Sequence, residues 1–252
     1  MPLRFSTLIT RALTAGLAVG VLMGAYLFFV VEPVVDEAVA LEEELAAASP
    51  AADDEEPLFS RDEQTAGGVL AGLVYALVVS TVFGVVFAKV RHRLPGASDL
   101  ARTTWLALVG FGVFALMPAL KYPANPPAVG DPDTVGDRTV LYLACIALSL
   151  VAAVALTRLA GVLRRRLDRP TQVLAVTIAT VVVYGLVLVL LPGTPDEIAP
   201  EVPAALVWDF RIRSLGSLAL LWVGLGLGLG WLLERDAAAD ARAREARAMV
   251  RS

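Results

Sequence analysis

Carboxylates that could gather a metal cation crowd one short stretch of this 252-residue chain. Glu32 and Asp36 stand four apart, hence on one face of a helix. Glu37, the run Glu42, Glu43 and Glu44, and then Asp53, Asp54, Glu55 and Glu56 follow. Such a cluster concentrates cations through its field, although a charge run also serves as an ordinary solvated face. Softer ligands are sparse. The one cysteine is Cys145, the one histidine, His92, sits in the basic stretch KVRHRL, and Met23 and Met117 lie within apolar runs. Packing is the ordinary use of such sulfur side chains. No ligand set with defined spacing is present. HExxH, GxSxG, the P-loop and the Rossmann glycine pattern are absent as well, so no enzyme is expected.

The elements that must position these groups are hydrophobic. The chain is 57% hydrophobic, with a mean hydropathy of +0.70. Six stretches lack Asp, Glu, Lys, Arg and His altogether: 12–31, 64–88, 103–120, 139–157, 170–195 and 214–233. A helix needs roughly 20 apolar residues to cross the hydrocarbon layer. The runs are apolar on every side, where a barrel strand would be short and alternating. They predict an all-α polytopic membrane protein with six transmembrane helices, at about 12–31, 66–88, 103–120, 139–157, 171–191 and 214–233. Residues 1–234 then form the membrane domain, with an acidic external loop at 32–63 and a basic cytoplasmic tail helix at 235–252.

Charge supplies the orientation. With the N-terminus inside, sixteen of the 21 basic residues fall on the cytoplasmic side. Only Arg61, Lys121, Arg138, Arg211 and Arg213 fall outside. The positive-inside bias therefore predicts both termini in the cytoplasm. The first run is longer than a signal-peptide core, and Ala38-Val39-Ala40 lies beyond three acidic residues, so this helix is expected to stay uncleaved. A lone cysteine excludes an intrachain disulfide.

Ser60 with Glu63 forms a capping-box pattern ahead of the second run. Gly16, Gly20 and Gly24 make two GxxxG steps, and Gly224, Gly226, Gly228 and Gly230 alternate in WVGLGLGLGW. In lipid, small residues let helices approach closely, so both stripes are expected to be packing faces. Trp105, Trp208 and Trp231 suit the aromatic belt, and Trp222 falls in mid-span. No ionisable group lies near a bilayer centre, which argues against a proton relay at the midplane. Asp209, Arg211 and Arg213 stand just before the last run.

Between the third and fourth runs lies ALMPALKYPANPPAVGDPDTVGDRT. Pro118 can kink the end of the third helix. Lys121 and Tyr122 suit the headgroup level. Pro123, Pro126 and Pro127 hold the chain extended, so that with Asn125 the segment forms either a preset lip over the external mouth or a structural corner.

LMPALKYPANPPAVGDP resembles the CbtA family, predicted cobalt transporter subunits of bacterial membranes. EPVVDEAVALEEE, LFSRDEQTAGGVLAGLVYAL and VWDFRIRSLGSLALLWVGLGLGLGWLLER agree with it. The resemblance covers most of the chain except the tail and the middle of the acidic loop. It implies a multi-pass subunit of the bacterial cytoplasmic (inner) membrane in a cobalt uptake system that serves cobalamin synthesis. It also implies a short single-span companion with a histidine-rich end. No permanently bound cofactor is expected, and Co2+ is the expected transported ion. Co2+ accepts imidazole and carboxylate, and this chain has one histidine, so companion histidines are the natural missing ligands. Glu32, Asp36 and Asp209 are the candidate cation-capturing groups on the outer face, and Asn125 is expected to hold the lip through its amide. The chain would act with that companion or as an oligomer of itself, in contact with lipid and without a nucleic-acid partner. The alternative is a non-transporting scaffold or assembly subunit of a larger complex.

Overall fold

A computed structural model describes residues 4–47, 59–127, 129–195 and 197–249. The acidic residues Asp53, Asp54, Glu55 and Glu56 and the last three residues of the tail lie outside them. All regular structure among the described residues is helical, and six helices are long and apolar enough to cross a membrane.

Two of the six contain a π-helical turn, and each has the same cause. Helix α1 (Phe5–Tyr26) passes through a π-turn at Leu27–Val31 into α2 (Glu32–Ala47). After α3 (Arg61–Val90), α4 (Asp99–Phe111) passes through a second π-turn at Gly112–Leu116 into the short α5 (Met117–Lys121). Each π-turn ends two residues before a proline within the helix, Pro33 or Pro118. A proline ring collides with the carbonyl four residues back and offers it no N–H. Those carbonyls belong to Phe29 and Phe114, both inside the widened turns. The N–H groups of Glu32 and Met117 bond instead to Leu27 and Gly112, five residues back. The acidic segment after the first run is thus the continuation of the first helix, one rod of 43 residues.

The remaining helices are α6 (Val135–Leu163), α7 (Arg169–Leu190) and α8 (Ala204–Met249). Helix α3 starts at a capping box: the Ser60 N–H donates to Glu63 Oε2 at 2.8 Å, and Ser60 Oγ accepts from the Glu63 N–H. Asp168 caps α7 by accepting from the Thr171 N–H at 3.4 Å. The Thr171 hydroxyl, helped by that backbone N–H, holds its carboxyl below the usual range. Residues 235–249 show no break and continue α8.

Packing divides the chain into two compact units. The first comprises the described residues of 1–33, 51–110 and 216–252, and the second those of 34–50 and 111–215.

In the first unit α1 lies antiparallel to α3. A Cβ at Gly20 would stand 2.6 Å from Leu73 and 3.2 Å from Ala76, one at Gly24 would meet Val69, and one at Gly16 would meet Ser80. The 216–249 portion of α8 presents four faces. Gly224 and Gly228 lie against Val19 and Ala15 of α1, whereas Gly226 and Gly230 lie against Ala107 and Leu100 of α4. Between them Leu221, Leu225, Leu229 and Leu233 are at most 1% exposed. Val223, Leu227 and Trp231 form the outward face. Trp222 is buried against Gly110 and meets Phe83 edge to face at 6.3 Å.

Polar ties fix the same unit. Arg11 holds Asp236 through two bonds of 2.7 and 2.8 Å. Glu234 accepts from the Leu100 N–H at 3.1 Å, near the start of α4, where a carboxylate satisfies an orphan donor. The buried Thr103 hydroxyl lies 2.7 Å from the Gly226 carbonyl. Thr103→Val keeps the shape and removes that bond, and we expect it to cost about 1 kcal/mol, read as a lowered unfolding midpoint in detergent.

In the second unit Met117, Tyr122 and Cys145 form a buried cluster with Leu141 and Tyr184 around it. A smaller cluster joins Val34 and Ala38 of α2 to Leu206 of α8. Helix α7 contributes no fully buried residue.

Candidate functional site

Glu32 is the most constrained of the candidate carboxylates. Its place after the π-turn sets it in the first unit, with its side chain 19% exposed. Its Oε1 accepts from the Arg61 guanidinium and from the Thr65 hydroxyl at 2.7 Å. Arg61 and Thr65 lie one turn apart at the start of α3, and the Thr65 hydroxyl also reaches the Arg61 carbonyl at 3.1 Å. One carboxylate oxygen therefore receives a charge-assisted bond and a neutral one. A cation arriving at Glu32 meets an oxygen already occupied by the chain's own positive group.

Asp62 and Thr65 share the lining of a cavity of about 600 Å³ with Gly20, Gly24, Phe28 and Leu73. The close contact of α1 and α3 forms its walls. Apart from these two polar residues the cavity is apolar.

The other candidate carboxylates are in the second unit. Asp36 is exposed on α2, as are Glu37, Glu42, Glu43 and Glu44. Asp209 is exposed near the start of α8 and accepts from Arg213, one turn on, at 3.5 Å. Among the described residues no group of three or more His, Cys, Asp and Glu side chains could hold a metal ion. His92 is exposed beyond the end of α3. Met23 and Cys145 are both buried.

The proline-rich segment is held by its polar side chains. Lys121 ends α5, and the buried Tyr122 donates its hydroxyl to the Pro192 carbonyl at 2.9 Å. Burial pushes that phenol above its usual range, which keeps the hydroxyl a donor. Asn125 Oδ1 accepts from Arg211 at 2.7 Å, and Arg211 Nε donates to the Ala124 carbonyl at 3.2 Å. The α8 arginine thus clamps the extended stretch between Pro123 and the Pro126-Pro127 pair. Pro126 is buried and Pro127 exposed. Tyr122, Pro123 and Asn125 line a cavity of about 330 Å³ whose charged lining, among the described residues, consists of Arg138 and Arg211.

Sequence reasoning named Glu32 and Asn125, and named Arg61 and Arg211 only as charges flanking the apolar runs, without pairing them with these two. Arg61 carried a signal, as the sole basic residue between the first two apolar runs. Nothing in the sequence pairs Arg211 with Asn125, because 86 residues separate them.

A family model described as "Probable cobalt transporter subunit (CbtA)" matches residues 5–234. That range takes in the apolar run of each of the six helices and stops at Glu234, within α8. No curated protein and no solved structure matches the chain.

Proposed function

From the premise that the chain belongs to the CbtA family of probable cobalt transporter subunits, we propose that it forms the membrane subunit of a cobalt uptake system. The observation that carries this reading is the match itself, which spans the whole multi-pass membrane region. In this reading Co2+ is cargo, gathered at the outer face by carboxylates and passed inward. The excess of basic residues at the opposite ends of the apolar runs supports cytoplasmic termini in a bacterial inner membrane.

Carboxylate oxygen alone makes a poor match for Co2+, which accepts imidazole readily. The single His92 stands exposed in a basic loop. The reading therefore places the imidazoles on a small histidine-bearing companion subunit. Glu32 is the capture group that suits a transported ion best. It is partly buried, and a displaceable guanidinium holds it, so binding is reversible by construction. Asp36 and Asp209 are more exposed and serve to raise the local cation concentration.

Uptake of labelled Co2+ tests the proposal, in cells deleted for their own cobalt importers and with Ni2+ as competitor. The chain is expressed alone and with a histidine-bearing single-span companion. We expect accumulation above the empty control that requires the chain and is strongest with the companion. Absence of uptake in both arrangements, with the protein inserted and abundant, would overturn the proposal. It would leave the scaffold reading, whose signature is stable co-purification with a larger membrane complex.

A further inference from the structure

We propose that Cys145 and Met117 form a buried binding site for one soft monovalent metal ion, Cu(I), with the Ser149 hydroxyl beside it. The site is separate from the carboxylates of the outer face, and the reading does not rest on cobalt transport. Ligand type, an unmet hydroxyl and charge balance each point to that ion.

The two sulfurs come from different helices. Cys145, on α6, is wholly buried, and Met117, at the start of α5, belongs to the same buried cluster. Met117 follows directly on the π-turn at Gly112–Leu116, and such turns recur at functional sites. Packing alone accounts for a buried methionine or cysteine, but not for the third group. Ser149 lies one turn along α6 from Cys145, on the same face. It is wholly buried, and its hydroxyl has no hydrogen-bond partner. Ser80, Thr81, Thr157 and Thr180, also within apolar runs, bond back to a carbonyl of their own helix at 2.8–2.9 Å. The Tyr184 hydroxyl reaches the Ser149 carbonyl at 3.1 Å and leaves the Ser149 hydroxyl unmet. What that hydroxyl stands beside is the Cys145 sulfur, a weak partner as a thiol and a good acceptor as a thiolate. A buried hydroxyl without a partner is costly, and a metal-bound thiolate removes that cost.

The surroundings select the metal. Leu141, Tyr184, Val187, Leu188 and Leu191 pack around the cluster, and none is charged. Thiolate with thioether favours Cu(I). When Cu(I) replaces the thiol proton, an S–H bond becomes an S–Cu bond, one proton leaves and the net charge is unchanged. A divalent ion on the same two sulfurs would leave one positive charge uncompensated in an apolar region, where such a charge is costly. The Lys121 ammonium, which acts on Cys145 from the end of α5, would repel it further. Tyr122 belongs to the cluster and also lines the cavity of about 330 Å³, which gives the ion a route to the thiol.

The test uses the full chain purified in a neutral detergent without oxygen. The probe is Cu(I), added as its acetonitrile complex against a chromophoric Cu(I) chelator and followed until the absorbance is constant. Native mass spectrometry counts the bound ions, and the thiolate-to-Cu(I) absorption band reports the sulfur. Cys145 is the sole cysteine, so any such band belongs to it. We expect one Cu(I) per chain with the band present, and Cys145→Ala should abolish both. Met117→Leu, which conserves volume, should weaken binding about tenfold or more. Met23→Leu, at a buried methionine of the first unit, should leave it unchanged. Ser149→Ala should weaken binding several-fold without lowering the metal-free unfolding midpoint, since the hydroxyl makes no bond there. The same midpoints verify that the other variants fold. Excess Co2+ should leave the band in place. No bound Cu(I), copper without the band, or copper retained by Cys145→Ala would overturn the site. So would a Met117→Leu or Ser149→Ala chain that binds as the native one does. Displacement by Co2+ would overturn the assignment to a monovalent ion.

Discussion

Gly226→Ala destabilises the protein by about 1–3 kcal/mol, whereas Gly228→Ala, two residues away, leaves it unchanged or slightly more stable. Both are interior positions of the same helix, so propensity alone favours alanine at each by about 0.5–1 kcal/mol. The neighbours decide the difference. A Cβ at Gly226 would stand 2.7 Å from Ala107 Cβ, 3.2 Å from Thr104 Cα and 3.3 Å from the Thr103 carbonyl. Two of those three are backbone and cannot turn aside. A Cβ at Gly228 meets Ala15 at 3.4 Å, an ordinary contact. Gly226→Ala would also push α4 away from the Thr103–Gly226 hydrogen bond. Unfolding midpoints of the two single variants in one detergent check this. Equal midpoints would mean that α8 and α4 are not packed as described.

The second large effect sets two neighbours against each other. Glu32→Gln should reduce cobalt uptake at subsaturating concentration roughly tenfold or more, since loss of a ligand costs no less than loss of the groups that orient it. Arg61→Gln should increase it. The guanidinium shares with Thr65 the carboxylate oxygen that a captured cation would need, and removing it takes away one of the two donors and one repelling charge. An ion pair this accessible is worth up to about 1 kcal/mol, and 1.4 kcal/mol is tenfold. The half-saturating Co2+ concentration should therefore fall about fivefold. Arg61→Lys keeps the charge and should remain close to the native protein. Should Glu32→Gln and Arg61→Gln both lower uptake while protein abundance holds, the pair is a structural tie and the capture site lies elsewhere.

The helices were legible in the sequence because charge and apolarity are segregated so cleanly. Each of the six charge-free runs overlaps one of the six long helices. Their ends were less legible, because the last charge marks a change of solvent and not the end of hydrogen bonding. Helix α8 runs on past Glu234 to Met249, and α1 runs on past Pro33 into the acidic segment. Prolines 33 and 118 advertise a break that a π-turn absorbs within the helix. GxxxG spacing reveals a face but not what covers it. Gly16 finds Ser80 and Gly228 finds Ala15 through tertiary pairing alone. The same holds at the candidate site: Glu32 stands out by its type, but its partners come from the next helix, 29 and 33 residues on. Arg138 and Arg211 join at one cavity only because α6 and α8 both begin there.

The alternating glycines of α8 have a mechanical consequence. Residues two apart point roughly 200° from each other on a helix, so Gly224 and Gly228 form a flat on one side and Gly226 and Gly230 a flat on the other. Turning this portion of the helix by one residue would drive Leu225 or Leu229 into a gap that only hydrogen fits. Rotation is locked, and the bidentate Arg11–Asp236 tie opposes sliding. The 216–249 portion therefore behaves as a keyed shaft. A force applied to its exposed alanine- and arginine-rich end would reach Trp222 and Gly110 undiminished by twist.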